Sequence, residues 1–258
     1  MFNLSRETIR QILLDNNMTK VSIRWVPHRL EDHQKLERFE SAKQNLKLIS
    51  TGKLNPLDIC TCDEKQFYLY TPYRHKKSKV WHEKGETTVG VPKSLKPGSQ
   101  RKRLYCIFIN ANGLIFKYCT PKHVNINAQI YHDKCLTPAI EKIRSVHPRK
   151  KIHFLHDNAK PHTAHLVTEF LLENKVDVIH HPPYSPHTLP WDYFLFFQLS
   201  RILARKKFDS DRELGLAIYN AISTISKERF SAAFTEWEDR LKLVYENHGD
   251  YFDEQLLH

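Results

Sequence analysis

The sequence predicts an α/β domain on three observations. Residues 57–71 (LDICTCDEKQFYLYT) alternate short β-branched and aromatic runs, as strands do. Residues 103–120 (RLYCIFINANGLIFKYCT) are two apolar runs flanking Asn110-Ala111-Asn112-Gly113, and an Asn-Gly pair between apolar runs is a strong hairpin signal. From residue 151 onward, strand-like and helix-like patterns alternate, which is the signature of strands covered by helices. The length of 258 residues leaves room for one large domain or two small ones, and 40% hydrophobic with 27% charged residues argues against wholesale disorder. No run of eighteen apolar residues occurs, and the N-terminus lacks the apolar stretch of a signal peptide. Seven glycines argue against a glycine-rich phosphate loop. Five irregularly spaced cysteines read as reduced thiols, and the isolated pair Cys60 and Cys62 is a weak zinc signal.

The elements follow in order. Residues 5–17 predict a short helix, with Ser5 as N-cap and Ile9, Ile12 and Leu13 on one face. Arg6, Thr8, Arg10 and Gln11 occupy its other faces, a pattern that suits contact with DNA. WVPHRL (25–30) reads as an extended linker, because Pro27 disfavours the helical region at Val26. A helix is expected from about Glu31 to Ile49, with Leu36, Phe39, Leu46 and Ile49 as its packing stripe. After the strand and hairpin come a helix over 125–147, a buried strand KIHFLHDN (151–158), a helix over 162–174 and a strand VDVIHH (176–181). PPYSPHTLP (182–190) reads as a rigid loop, and 192–207 as a helix opening at Asp192, followed by helical patterns to about Tyr245.

Charge gives the first functional lead. The chain carries +11 overall, but residues 59–150 hold +12, against +3 before them and −4 after. Residues 74–103 are densest, with ten basic side chains opposed by Glu83 and Glu86. Such a field attracts a polyanion. Asp63 lies in the first strand, Asp157 closes a later strand, and Asp192 opens a helix. Strand ends and helix starts of an α/β sheet converge on one crevice. Carboxylates meeting there repel unless a cation joins them, and hard oxygen ligands suit Mg²⁺ or Mn²⁺. Two ions about 3.5–4 Å apart would clamp an in-line displacement at phosphorus. Each aspartate also has a plain structural reading as turn, cap or strand-end residue. Sixteen histidines, among them His153, His156, His162 and His165, raise a zinc hydrolase as an alternative, but no zinc-type His signature accompanies them.

Motif strings narrow the choice. HDNAKPHTA (156–164), thirty-four residues between Asp157 and Asp192, and PPYSPHTLPWDYFLF (182–196) resemble the mariner family of transposases. TCDEKQFYLY, SKVWHEKGE, KVSIRWVPHRL and NHGDYF resemble further segments of that family, in its order and over nearly the whole chain. The resemblance implies an RNase H-like mixed sheet flanked by helices over 57–258, preceded by a linker and helix over 20–56. Residues 1–19 would be the helical remnant of a second helix-turn-helix. Asp63, Asp157 and Asp192 would hold two Mg²⁺ or Mn²⁺ ions for hydrolysis and strand transfer at transposon ends. The basic stretch 74–103 would be a clamp loop, with Lys76, Lys77, Lys79, Lys102 and Arg103 joining Arg6 and Arg10 on DNA. The expected partners are transposon-end and target DNA and a second copy of the chain, with action in the nucleus and no membrane. Trp81 or Trp191 would stack on an unpaired base.

The sequence departs from the family pattern in places. The first helix-turn-helix is missing, which weakens expected end recognition and leaves a catalytically silent DNA-binding or dimerising protein as the alternative. His187 stands where the family usually has an aspartate, Gln66 where it has an aromatic, and Trp191 where it has a small residue. Trp191 would either crowd the last carboxylate or repack beside it.

Overall fold

The computed structural model describes residues 5–18, 26, 28–70, 101–204 and 206–252. The segment 71–100, with Lys76, Lys77, Lys79 and Trp81, lies outside the described residues, as do residues 19–25 and 27.

Helix α1 (Arg6–Asp15) forms as expected, with the Ser5 hydroxyl capping the Thr8 amide. None of its residues is buried; Ile9, Ile12, Leu13 and Leu14 all stand exposed. Helix α2 (Asp32–Ser50) opens with a capping box between Glu31 and Gln34. Of the expected stripe, Leu46 and Ile49 pack against the core and Phe39 stacks on the Tyr245 ring, but the most buried face lies beside it. Leu36 is exposed, and the buried positions are Arg38, Ser41, Ala42 and Asn45. Their spacing is the i, i+3, i+4, i+7 of a packed face, but the face is mostly polar because it meets carbonyls and polar side chains of the 180–187 and 249–250 segments. Ser41 and Asn45 both donate to the His180 carbonyl.

Five strands form one mixed sheet in the order β3-β2-β1-β4-β5. Strands β1 (Ile59–Tyr68), β2 (Lys102–Asn110) and β3 (Gly113–Cys119) run antiparallel in sequence, while β4 (Ile152–Leu155) and β5 (Val176–Ile179) are parallel to β1 and to each other. The hairpin turns where the sequence predicted. Asn110 accepts from the Asn112 amide, and Gly113 takes φ 116°, the left-handed side that favours glycine.

Strand alternation divides the core in two. Ile59, Phe67, Ile107 and Ile109 face a large cluster containing Trp191, Leu195, Phe230, Phe234 and Trp237. Cys60, Cys62, Cys106 and Phe108 face a second cluster with Tyr131, Cys135, Phe154 and Val167. All five cysteines are free thiols, and Cys60 and Cys62 are buried on one face as core residues.

The second face is covered by α3 (Ala128–Ile130), a π-helical turn (Tyr131–Leu136), α4 (Thr137–Val146) and α5 (His165–Glu173). The single helix expected over 125–147 thus changes pitch twice, and α5 starts three residues later than expected because 159–163 fold as a turn. The first face is covered by a π-helical turn (Trp191–Leu195), α6 (Phe196–Ile202), α7 (Asp211–Ser223) and α8 (Lys227–Glu246). The helix expected over 192–207 stops at Ile202. Among the described residues no helix is long and apolar enough to cross a membrane.

Candidate active site

The parallel pair β1–β4 sets the site. Thr61 lies opposite Leu155, so the same register continued two residues brings Asp157, just past the carboxyl end of β4, alongside Asp63 in the middle of β1. Asp157 is therefore not in the strand, as the sequence reading had it, but just past its end at Leu155. The third carboxylate comes from the turn before α6. Trp191 and Leu195 are fully buried and lock that turn, and the Asp192 amide donates to the Leu189 carbonyl at 3.0 Å. Asp63, Asp157 and Asp192 line one open cavity of about 290 Å³, walled by His181 and the 182–186 loop.

The carboxylates differ in environment. Burial pushes the Asp63 carboxyl well above its ordinary value, and the charges of Glu64, Asp192 and Asp157 add to the push. Asp192 reaches solvent at the cavity mouth, so its desolvation is partial, yet it is still the main cause raising this group to about 6. Lys65 pulls it back down and Asp157 adds to the rise. Burial raises Asp157 too, but the hydrogen bond and charge of His162 outweigh it and leave this carboxyl below its ordinary value. Asp157 Oδ1 accepts from His162 Nδ1 at 2.6 Å and from the Ala159 amide at 3.1 Å. His162 Nε2 reaches Glu64 Oε1 at 3.2 Å. Desolvation opposes the charged ring, but bonds to Asp157 and Glu64 hold His162 protonated, up to about 11. Lys65 places its ammonium 4.3 Å from the Phe196 ring centre, where it balances Asp63 and Asp192.

The donor set fits a hard divalent cation: three carboxylates share one cavity and repel one another there. Among the described residues no three His, Cys, Asp or Glu side chains already stand close enough to chelate an ion. The histidines expected as an alternative zinc set instead serve separate tasks. His156 and His181 are buried and kept neutral, pushed down by burial to about 3 and about 4.

Other predicted residues fall in different places. Trp191 is not available for base stacking. It is wholly buried against Phe196, so its bulk is accommodated in the core and does not crowd the cavity. His187 occupies a short turn at 186–188, where Nε2 meets Arg38 Nη2 at 2.9 Å. Arg6 and Arg10 are exposed on α1, with Arg10 paired to Glu7 at 2.8 Å. Lys102 is exposed on β2, while Arg103 is buried and bonds Asp211 at 2.5 Å, so its guanidinium is engaged within the fold. Both line a cavity of about 520 Å³ that Arg101, Lys122 and His123 share. Lys122 and His123 carried no signal in the sequence, being isolated from the 74–103 cluster until β3 returns beside β2. Glu64, Lys65 and Arg38 were likewise missed as parts of the site's surroundings.

This arrangement defines the class. Residues 58–215 match the model of the DDE superfamily endonuclease family, and the chain belongs to that family. Within it, the likeness is to mariner transposases. The chain is 29% identical over 191 residues to the mariner Mos1 transposase of Drosophila mauritiana, covering 72% of this chain and 54% of that protein. It is 30% identical over 257 residues to the human histone-lysine N-methyltransferase SETMAR, covering 97% of this chain and 36% of that protein. The chain thus spans between about a third and a half of the curated relatives it matches. The crystal structure of the Mos1 mariner paired end complex with Mn superposes with a TM-score of 0.81 at 26% identity, covering 97% of this chain and 72% of that one. The corresponding complex with Mg gives 0.80. The mixed sheet and its flanking helices are the RNase H-like fold that the motifs implied.

Proposed function

We propose that this chain is the catalytic part of a mariner-type DNA transposase, cutting phosphodiesters at transposon ends and transferring the freed strand to target DNA. The observation that carries the reading is the meeting of Asp63, Asp157 and Asp192 at one cavity from three separate elements. The relatives' Mn and Mg complexes support a divalent metal. Bound between these carboxylates, two such ions would supply positive charge to the attacking and leaving oxygens. The protein's own part is positioning. Asp63 is held within β1, Asp157 just past the end of the paired strand β4 and Asp192 on a locked turn, which suits a reaction needing alignment more than a protein nucleophile. In the first reaction water adds to phosphorus and a 3′-hydroxyl leaves. In the second that hydroxyl adds to a target phosphodiester and displaces another 3′-oxygen.

Phosphates of the duplex would run along the basic rim of Arg101, Lys102 and Lys122, and Lys76, Lys77 and Lys79 would be further phosphate contacts. The relatives' paired-end complexes favour a working unit of two copies holding two DNA ends. A DNA substrate of this kind places the working protein in the nucleus. We assign residues 1–19 to DNA recognition and 57–258 to catalysis.

The test is nicking of supercoiled plasmid in Mn²⁺ and Mg²⁺, with Asp157→Ala and Asp192→Ala alongside. Loss of an ion ligand worth several kcal/mol lowers the rate at least about a hundredfold. Metal-dependent nicking by the parent that both variants lose is the expected result. Nicking that survives either substitution at the parent rate would remove the assignment. DNA binding without nicking by the parent would favour a silent DNA-binding role.

A further inference from the structure

Strand alternation sends Asp63 and Glu64 to opposite faces of the sheet, so Glu64 cannot share its neighbour's cavity. It is nevertheless tied to that cavity. His162, 1% exposed, bridges Glu64 and Asp157 through its two ring nitrogens, at 3.2 Å and 2.6 Å. The ring cannot shift freely. Its centre lies 4.3 Å from that of Tyr131 and 5.2 Å from that of His156, and Tyr131 is itself pinned by Cys62 Sγ at 3.0 Å.

We infer that His162 is the positioning residue of Asp157, anchored to strand β1 through Glu64, so that the two strands presenting carboxylates are braced to each other at the reacting end. The brace rests on the metal-dependent reading given above. It explains a role for Glu64 beside Asp63: one side chain faces the cavity, and the other fixes the carboxylate arriving from β4. Both His162 nitrogens lie against carboxylate oxygens, so the ring orientation is set from both sides. Asp157 Oδ1 receives two hydrogen bonds, which fixes the rotamer that carries the rest of the carboxylate into the cavity. Groups that orient ligands in this way are typically worth about 10–100-fold in metal affinity.

Two substitutions separate positioning from packing. Asn at 162 places an amide donor near the site of Nδ1 and keeps the Asp157 bond. Gln places it near Nε2 and keeps the Glu64 bond instead. Mn²⁺ affinity of the full chain, measured by titration with electron paramagnetic resonance, should fall about 10–100-fold in His162→Gln. His162→Asn should recover most of that loss, with Glu64→Gln, the mildest change, between it and the parent. Equal affinities for the Asn and Gln variants, or parent affinity in folded His162→Gln, would overturn the inference. A parent chain that binds no Mn²⁺ would instead count against the functional reading. The brace is then judged on metal-free crystal structures of the parent and Glu64→Gln and His162→Gln chains. An Asp157 rotamer unchanged in His162→Gln would overturn it, and a displaced one would support it.

Discussion

Arg38 offers the sharpest test of how the site is supported. Its guanidinium is fully buried on α2 and binds two separate segments, 184–187 and 249–250. Nε donates to the Gly249 carbonyl at 2.6 Å, Nη1 to Ser185 Oγ at 2.5 Å and the Tyr184 carbonyl at 3.1 Å, and Nη2 to His187 Nε2 at 2.9 Å. Arginine has no acceptor, so His187 must carry its proton on Nδ1. The Tyr251 ring lies 4.8 Å away. Burial pushes the guanidinium down to about 10, and Tyr251 and Asp250 restore only part of that. Arg38→Met would remove the charge and its desolvation cost together but strand the acceptors, each worth about 1–3 kcal/mol when left unsatisfied. The terms do not add, because several acceptors can reach water once the fork is gone. Two or three acceptors left dry at that cost give about 3–5 kcal/mol. At about 2–4 °C per kcal/mol for a domain of this size, the melting temperature should fall by roughly 6–20 °C. The assay is thermal unfolding followed by circular dichroism, with Arg38→Lys beside it. Lysine keeps charge but not the fork, so it should recover less than half of the loss. A cooperative melt within about 3 °C of the parent would refute the reasoning, since it would mean that the α2 fork does not hold the loop ahead of Asp192.

Three further outcomes follow from the same packing. His187→Asp gives Arg38 a carboxylate in place of a neutral ring nitrogen and should raise stability by about 1 kcal/mol, read as a melting shift of about 2–4 °C; a lowered melting temperature would show that the ring's contacts with Tyr251 and Phe252 matter more. Gly249 has φ 82° and lies so close to the Lys35 carbonyl that a Cβ would collide with it, so Gly249→Ala should cost about 2–5 kcal/mol in denaturant titration. Burial, helped by Lys151, holds the His153 imidazole below its ordinary value, while Asp177 at 3.9 Å only partly opposes this. The unfolded chain therefore takes up this proton first, and stability should fall as pH drops below roughly 6.5, with a slope of at most about 1.4 kcal/mol per pH unit. His153→Gln should flatten the pH 5–7 stability curve, and an unaltered curve would show that His153 does not titrate differently on folding.

The sequence by itself determined the strand carrying Asp63, the Asn-Gly hairpin, the alternation of strands and helices after residue 151, and the spacing of the last two aspartates. These are local signals: period, turn chemistry and motif order survive without knowledge of neighbours. The polar, most buried face of α2 was not legible in this way, although Leu46 and Ile49 of its apolar stripe were. Its period was visible, but Arg38, Ser41 and Asn45 are buried because carbonyls at 180, 184 and 249 receive them, and those come from distant parts of the chain. The sequence left Trp191 open between stacking on a base, crowding the last carboxylate and repacking, and only the position of Phe196 and the sheet turned it inward. The bridge from Glu64 through His162 to Asp157 spans 98 residues in sequence and depends on the parallel register of β1 and β4. Hydrogen bonds of that range leave no periodic trace, because each partner answers to the geometry of its own element. The tertiary structure alone decided which polar side chains brace the carboxylates and which merely lie near them in sequence.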